Sequence, residues 1–278
     1  MSLTFISFVQ KVVIGIEELA VRTPNPELEA IVSEQSNLIA FGSVQRYLAA
    51  ALQNFTKCHQ VEVRDFDSRT KQRDDGIWYS YGMKTWRDRG GAIRPHWDRG
   101  YARGVTVPSM VFGQVLRAIA DSGVNCTYLG HVTRHDPNAL QDNAFAVDAF
   151  QIDGVRQALA KLTSITLACK PAAPHRVTSQ NECDNLKKLV KYMKNVTRVR
   201  INGDLVLRVG SDGTFDALVE CLVELLEVAQ VTQLELGKLT FWRNNMTALV
   251  NAMKNSGKIE QLTMFRVSHI YGQALLDS

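Results

Sequence analysis

The chain has none of the short reactive signatures that mark the commonest enzymes. Its 278 residues contain no Gly-x-Ser-x-Gly elbow, no P-loop and no Gly-x-Gly-x-x-Gly. This removes the usual hydrolase, nucleotide and dinucleotide signals. The five cysteines (Cys58, Cys126, Cys169, Cys183, Cys221) are odd in number and never spaced Cys-x-x-Cys. Neither a zinc knuckle nor a disulfide framework follows, and buried free thiols in a reducing cytoplasm or nucleus are expected. No apolar run reaches the ~20 residues of a membrane helix. Leu3–Ile16 is apolar but lacks a basic leader and carries Lys11, so a packed amphipathic helix is expected there rather than a signal peptide. Without secretion, the Asn-x-Thr matches at Asn54, Asn125, Asn195 and Asn245 are chance. The formal charge of +4 is too mild to make the whole chain a polyelectrolyte, and the 45% apolar and 22% charged content is that of a folded protein.

What the chain does have is one recurring pattern, apolar-x-x-apolar-x-apolar. It occurs at Cys58/Val61/Val63, Leu162/Ile165/Leu167, Val196/Val199/Ile201, Val231/Leu234/Leu236 and Ile259/Leu262/Met264, with a degraded copy at Cys126/Leu129 that breaks at His131. From position 129 onward the middle positions stand about 28 to 36 residues apart, the period of a helix-plus-strand array. The step from 61 to 129 is about twice that, as if an insertion filled one unit. Helical periodicity precedes the strand candidates at Ser43–Asn54, Ser109–Asp121, Val155–Lys161, Asn185–Lys194, Phe215–Ala229 and Met246–Asn255. Ser122-Gly123 and Ser256-Gly257 end two of them, since glycine adopts the left-handed helix C-terminus at low steric cost. The fold class expected is α/β, an open solenoid of about six helix-strand units of leucine-rich-repeat type. Residues 1–40 would form an N-terminal helical cap, divided by Pro24 and Pro26, and 41–278 the repeat region. Such arrays present surfaces and seldom supply a catalytic pocket.

Residues 64–103 stand apart. They hold ten Lys/Arg against six Asp, with Trp78, Trp86, Trp97, Tyr79, Tyr81 and Tyr101 interleaved. Three readings compete. The aromatics pack the insertion against the array, they anchor a protein interface, or they stack on single-stranded nucleic acid. Packing is the strongest and nucleic acid the weakest, because no nucleic-acid fold signature is present. The contact residues favoured for a partner are Trp78, Tyr81, Arg87 and Trp97.

The runs Leu52–Phe55, Val61–Ser68 and Arg73–Thr85, with Val111–Gly123 after them, resemble filamentous ascomycete F-box proteins that carry a leucine-rich-repeat-like C-terminal half. The similarity covers roughly residues 38–270. It implies a substrate-recognition module for ubiquitin-ligase targeting, with an unknown substrate protein as partner and a Skp-type adaptor and cullin bridging it. Residues 1–37 contain no Leu-Pro dipeptide of the adaptor-docking F-box motif. The expectation is therefore either a shortened form or a stand-alone scaffold that has lost the adaptor.

The candidates for chemistry are weaker. His131 and His135 have metal-ligand spacing only on a helix, and Pro137 argues for strand then loop. Asp65 and Asp67 share a face of a continuing strand, where Arg64 and Arg69 make salt bridges the better expectation. Lys187, Lys188, Lys191 and Lys194 read as a solvated helix face. No catalytic residue, cofactor or metal is expected.

Overall fold

A computed structural model describes residues 8–16, 18–21, 24–65, 86, 89, 91–94, 106–134, 138–169, 183–203 and 214–270. In chain order its elements are β1 (Lys11–Gly15), β2 (Glu18–Val21), α1 (Pro26–Ala40), α2 (Ser43–Asn54), β3 (Gln60–Arg64), β4 (Gly91–Arg94), α3 (Val107–Ser122), β5 (Tyr128–Val132), α4 (Ile152–Ala160), β6 (Ser164–Ala168), α5 (Asp184–Val190), β7 (Arg198–Asn202), α6 (Thr214–Val228), β8 (Gln233–Gly237), β9 (Thr240–Trp242), α7 (Arg243–Ser256), β10 (Gln261–Phe265) and β11 (Ser268–Ile270). Among the described residues no helix is long and apolar enough to cross a membrane.

The apolar pattern builds one sheet. Its seven parallel strands run β1-β3-β5-β6-β7-β8-β10, each beside its predecessor in the chain. The middle positions of the pattern are mutual Cα partners across it: Val61, Leu129, Ile165, Val199, Leu234 and Leu262. Strand side chains alternate between faces. One set, including Val61, Val63, Leu129, Ile165, Leu167, Val199, Ile201, Leu234 and Leu236, enters the core with Leu52, Phe112, Leu159, Leu189 and Leu222 from the helices. Consecutive helices also pack on one another, α2 on α3, α3 on α4 and α6 on α7. The result is a helical layer on one face of the sheet. The opposite face carries the polar residues of the pattern.

Val12 pairs with Val61, so Val9/Val12/Ile14 is a further copy of the pattern. This corrects the helix expected across Leu3–Ile16: Lys11–Gly15 is a strand. Val12, Val13 and Ile14 are β-branched, which lowers helix propensity and favours the pleated, half-buried edge they occupy. Of the segment expected to be a helical cap, Pro26–Ala40 is helix. Asn25 caps it by accepting from the amides of Glu27 and Leu28, with Pro26 in the first turn. The expected Ser-Gly stops hold, with Gly123 and Gly257 both in the left-handed region. Lys238 and Arg266, which follow β8 and β10, are the two non-glycine residues there among the described residues, and after each the chain enters a short extra strand, β9 and β11, paired in parallel.

A threonine ladder fastens the N-terminal ends of the strands. In Thr127, Thr163, Thr197 and Thr232 the backbone N–H donates to the carbonyl of the equivalent residue one strand back, at 2.8–2.9 Å. Each hydroxyl donates to that same carbonyl, at 3.2–3.4 Å. The acceptors are His59, Thr127, Thr163 and Thr197 in turn.

Candidate functional site

The open sheet face divides into two parts. Across β1, β3 and β5 the polar groups satisfy one another around the buried Glu62. Lys11 Nζ lies 2.7 Å from Glu62 Oε2, Arg64 Nη1 3.6 Å from Oε1, and the Tyr128 hydroxyl donates to Oε2 at 3.3 Å. The Tyr128 ring lies over Gly130, where a Cβ would strike it. Burial raises the Tyr128 pKa above the usual phenol value, and the Glu62 charge adds to this while a hydrogen bond with Thr166 opposes it.

Across β6, β7, β8 and β10 the face is open. A depression of about 250 Å³ is lined there by Ser164, Thr166, Arg198, Arg200, Gln233, Glu235, Gln261 and Thr263, with backbone of the strands at its floor. The sequence makes this hollow by setting short side chains (Ser164, Thr166, Thr263) among long ones. Arg200 Nε lies 3.2 Å from Glu235 Oε1, an ion pair whose angle falls outside hydrogen-bond geometry. The Arg200 guanidinium also lies 5.8 Å from the centre of the Phe265 ring. Arg198 is exposed, and among the described residues its guanidinium has no ion-pair or hydrogen-bond partner, although its amide donates to the Thr163 carbonyl at 3.1 Å.

Reactive side chains elsewhere are committed to structure. His131 is completely buried in the strand position that Val63 and Leu167 fill in β3 and β6, edge-on to Phe112 at 5.8 Å. Burial lowers its pKa to about 3; the Ala168 backbone is close enough to oppose this slightly, but no hydrogen bond to either ring nitrogen forms among the described residues. His135 lies outside the described residues. Asp65 is buried and accepts from the Arg134 amide at 2.8 Å and Asn138 Nδ2 at 3.0 Å, tying the loop after β5; Arg64 pairs with Glu62 at 3.6 Å, and Asp67 lies outside the described residues. The Asp142 carboxylate accepts from the amides of Asn185 and Leu186, capping α5 from a distance. Lys187 and Lys191 pair with Glu220 and Glu224 of α6, as a solvated helix face does.

All five cysteines are free, and only Cys183 is better than fully buried in exposure. Burial pushes the Cys126 thiol up to about 12 and raises Cys169; Cys221 is raised first by its hydrogen bond with Cys183 and then by burial. These are inert thiols by the rule that the thiolate is the reactive form. Among the described residues no three His, Cys, Asp or Glu side chains converge as metal ligands would.

The insertion residues Trp78, Tyr81, Arg87 and Trp97 lie outside the described residues. Trp86 is described and is only 7% exposed, with its indole against Gly91, so this aromatic packs. Arg89 pairs with Glu27 of α1 at 2.8 Å on the surface. The arginines of the open face were missed in sequence because they occupy the polar positions of the apolar pattern. The chain matches no protein-family model, and no curated protein matches it.

Proposed function

We propose that this chain is a non-catalytic protein-recognition module of leucine-rich-repeat-like solenoid type, acting as the substrate-receptor half of an F-box-like protein. The observation that carries the reading is the one-sided sheet: strands in chain order, helices on one face, and a polar face opposite that no described helix covers. A surface of this kind binds by shape and charge complementarity over many side chains and needs no reacting group. The insertion would add Trp78, Tyr81, Arg87 and Trp97 to the grip. The working compartment on this reading is the cytoplasm or nucleus.

Adaptor binding would fall to the α1–α2 pair, which exposes Phe41 in the turn after α1 and Tyr47 on α2 at 80% and 59%. The purified chain is mixed with a purified Skp-type adaptor and cullin and resolved by size exclusion. Co-elution that Phe41→Ala/Tyr47→Ala abolishes, with melting unchanged, supports ligase membership. Separate elution at high concentration leaves the alternative of a stand-alone scaffold, favoured by the missing Leu-Pro motif in residues 1–37.

A further inference from the structure

We infer that the depression over β6, β7, β8 and β10 receives an extended acidic segment of a partner protein, with Arg198 as its principal carboxylate contact. The inference rests on the recognition-module reading and adds the chemistry of what is recognised.

The sheet register sets the pattern of charge. One row across the strands reads Ser164, Arg198, Gln233, Gln261, and the next reads Thr166, Arg200, Glu235, Thr263. Glu235 neutralises Arg200 at 3.2 Å, while nothing described offsets Arg198. The lining therefore carries two cations and one anion, all on the surface of the hollow. Arginine presents a planar fork that matches a carboxylate with two parallel hydrogen bonds. The hydroxyls of Ser164, Thr166 and Thr263 and the amides of Gln233 and Gln261 add neutral donors around it.

Spacing selects the shape of the ligand. Arg198 and Arg200 sit two residues apart on one face of one strand, about 6.6 Å at the usual rise. An extended peptide lying over the strand repeats its own side chains at that interval, so carboxylates at alternate positions meet both arginines. The second carboxylate must compete with Glu235 for Arg200, which makes Glu235 a built-in brake on affinity. Nucleic acid suits the hollow less well, since among the described residues no aromatic side chain lines it for bases to stack upon, and the Phe265 ring beside it is taken up by Arg200.

The test is fluorescence anisotropy with the full chain and a labelled short peptide alternating Glu and Thr. Controls are the Gln/Thr equivalent and an oligo-dT strand. The acidic peptide should bind, the Gln peptide should not, and affinity should fall as salt screens the exposed charges. Arg198→Ala should weaken binding by about tenfold, the scale of one charge-assisted pair. Glu235→Gln should strengthen it by roughly threefold to tenfold by releasing Arg200. A merely structural role for Glu235 would not produce a gain. Unchanged melting of both variants keeps the comparison on binding. Equal binding by wild type and Arg198→Ala, no binding of the acidic peptide, or tighter binding of oligo-dT through the same arginines would each overturn the inference. Peptide binding lost in Arg198→Ala supports it even if the adaptor and cullin elute apart, so the two readings fail separately.

Discussion

Thr197 reaches the carbonyl oxygen of Thr163 twice, through its amide at 2.8 Å and its hydroxyl at 3.2 Å. The same double donation recurs from Thr163 to Thr127 and from Thr232 to Thr197. Each threonine holds two neighbouring strands in register at the point where the chain enters the sheet.

Thr197→Val keeps the amide and the shape and deletes the hydroxyl donor. It should lower unfolding stability by about 1 kcal/mol, the net worth of one such bond. Urea denaturation should show a lower midpoint with an unchanged slope, since the surface exposed on unfolding stays the same.

His131 should make the sheet acid-sensitive. Its folded pKa is depressed to about 3 by burial, below its ordinary 6.5. Between those values the unfolded chain binds a proton that the folded chain refuses. The contribution is therefore fully present above pH 6.5 and is lost as pH falls toward 3. His131→Leu, which installs a side chain of the kind found at Leu167, should flatten the acid limb of a stability–pH profile. At neutral pH it should be more stable by about 1–3 kcal/mol, since two buried nitrogens without hydrogen bonds are removed. An acid limb as steep as wild type would show that other groups carry the effect.

Trp86 is buried, and its indole lies against Gly91 within the insertion. Trp86→Ala should cost about 3–5 kcal/mol, the range for emptying a large aromatic site. Gly91→Ala should also destabilise, because its new methyl meets the indole ring. By contrast Arg89→Ala should change stability by less than ~1 kcal/mol, because its pair with Glu27 is exposed on both sides. Thermal melting of the three variants separates packing from surface charge.

The architecture was legible wherever an apolar side chain pointed at a helix. Val61, Ile165, Val199, Leu234 and Leu262 announce strands by spacing alone, and they align as Cα partners. The copy at Val9/Val12/Ile14 was hidden because Val13 fills a polar position and makes the run look continuous, hence helical. His131 looked like the end of a strand, yet it keeps register opposite Val63 because a neutral imidazole packs like an apolar ring. The candidate site was illegible for a related reason. Thr197, Arg198 and Arg200 are the unspecified positions of the motif in β7, and what they meet depends on neighbours about 34 residues away in sequence. The tryptophan-rich segment drew attention by composition, but the open face takes its character from register.

Val61 and Leu129 are direct partners although the chain between them is about twice as long as between later partners. The sheet is ordered by succession, so chain length between successive strands is a free variable. Doubling a connection adds only about 0.6 kcal/mol of closure entropy. New material can therefore accumulate between β3 and α3 while the neighbouring strands keep their alignment. Variation in length should concentrate at such junctions, letting the loops at that edge diversify while the sheet beneath them stays constant.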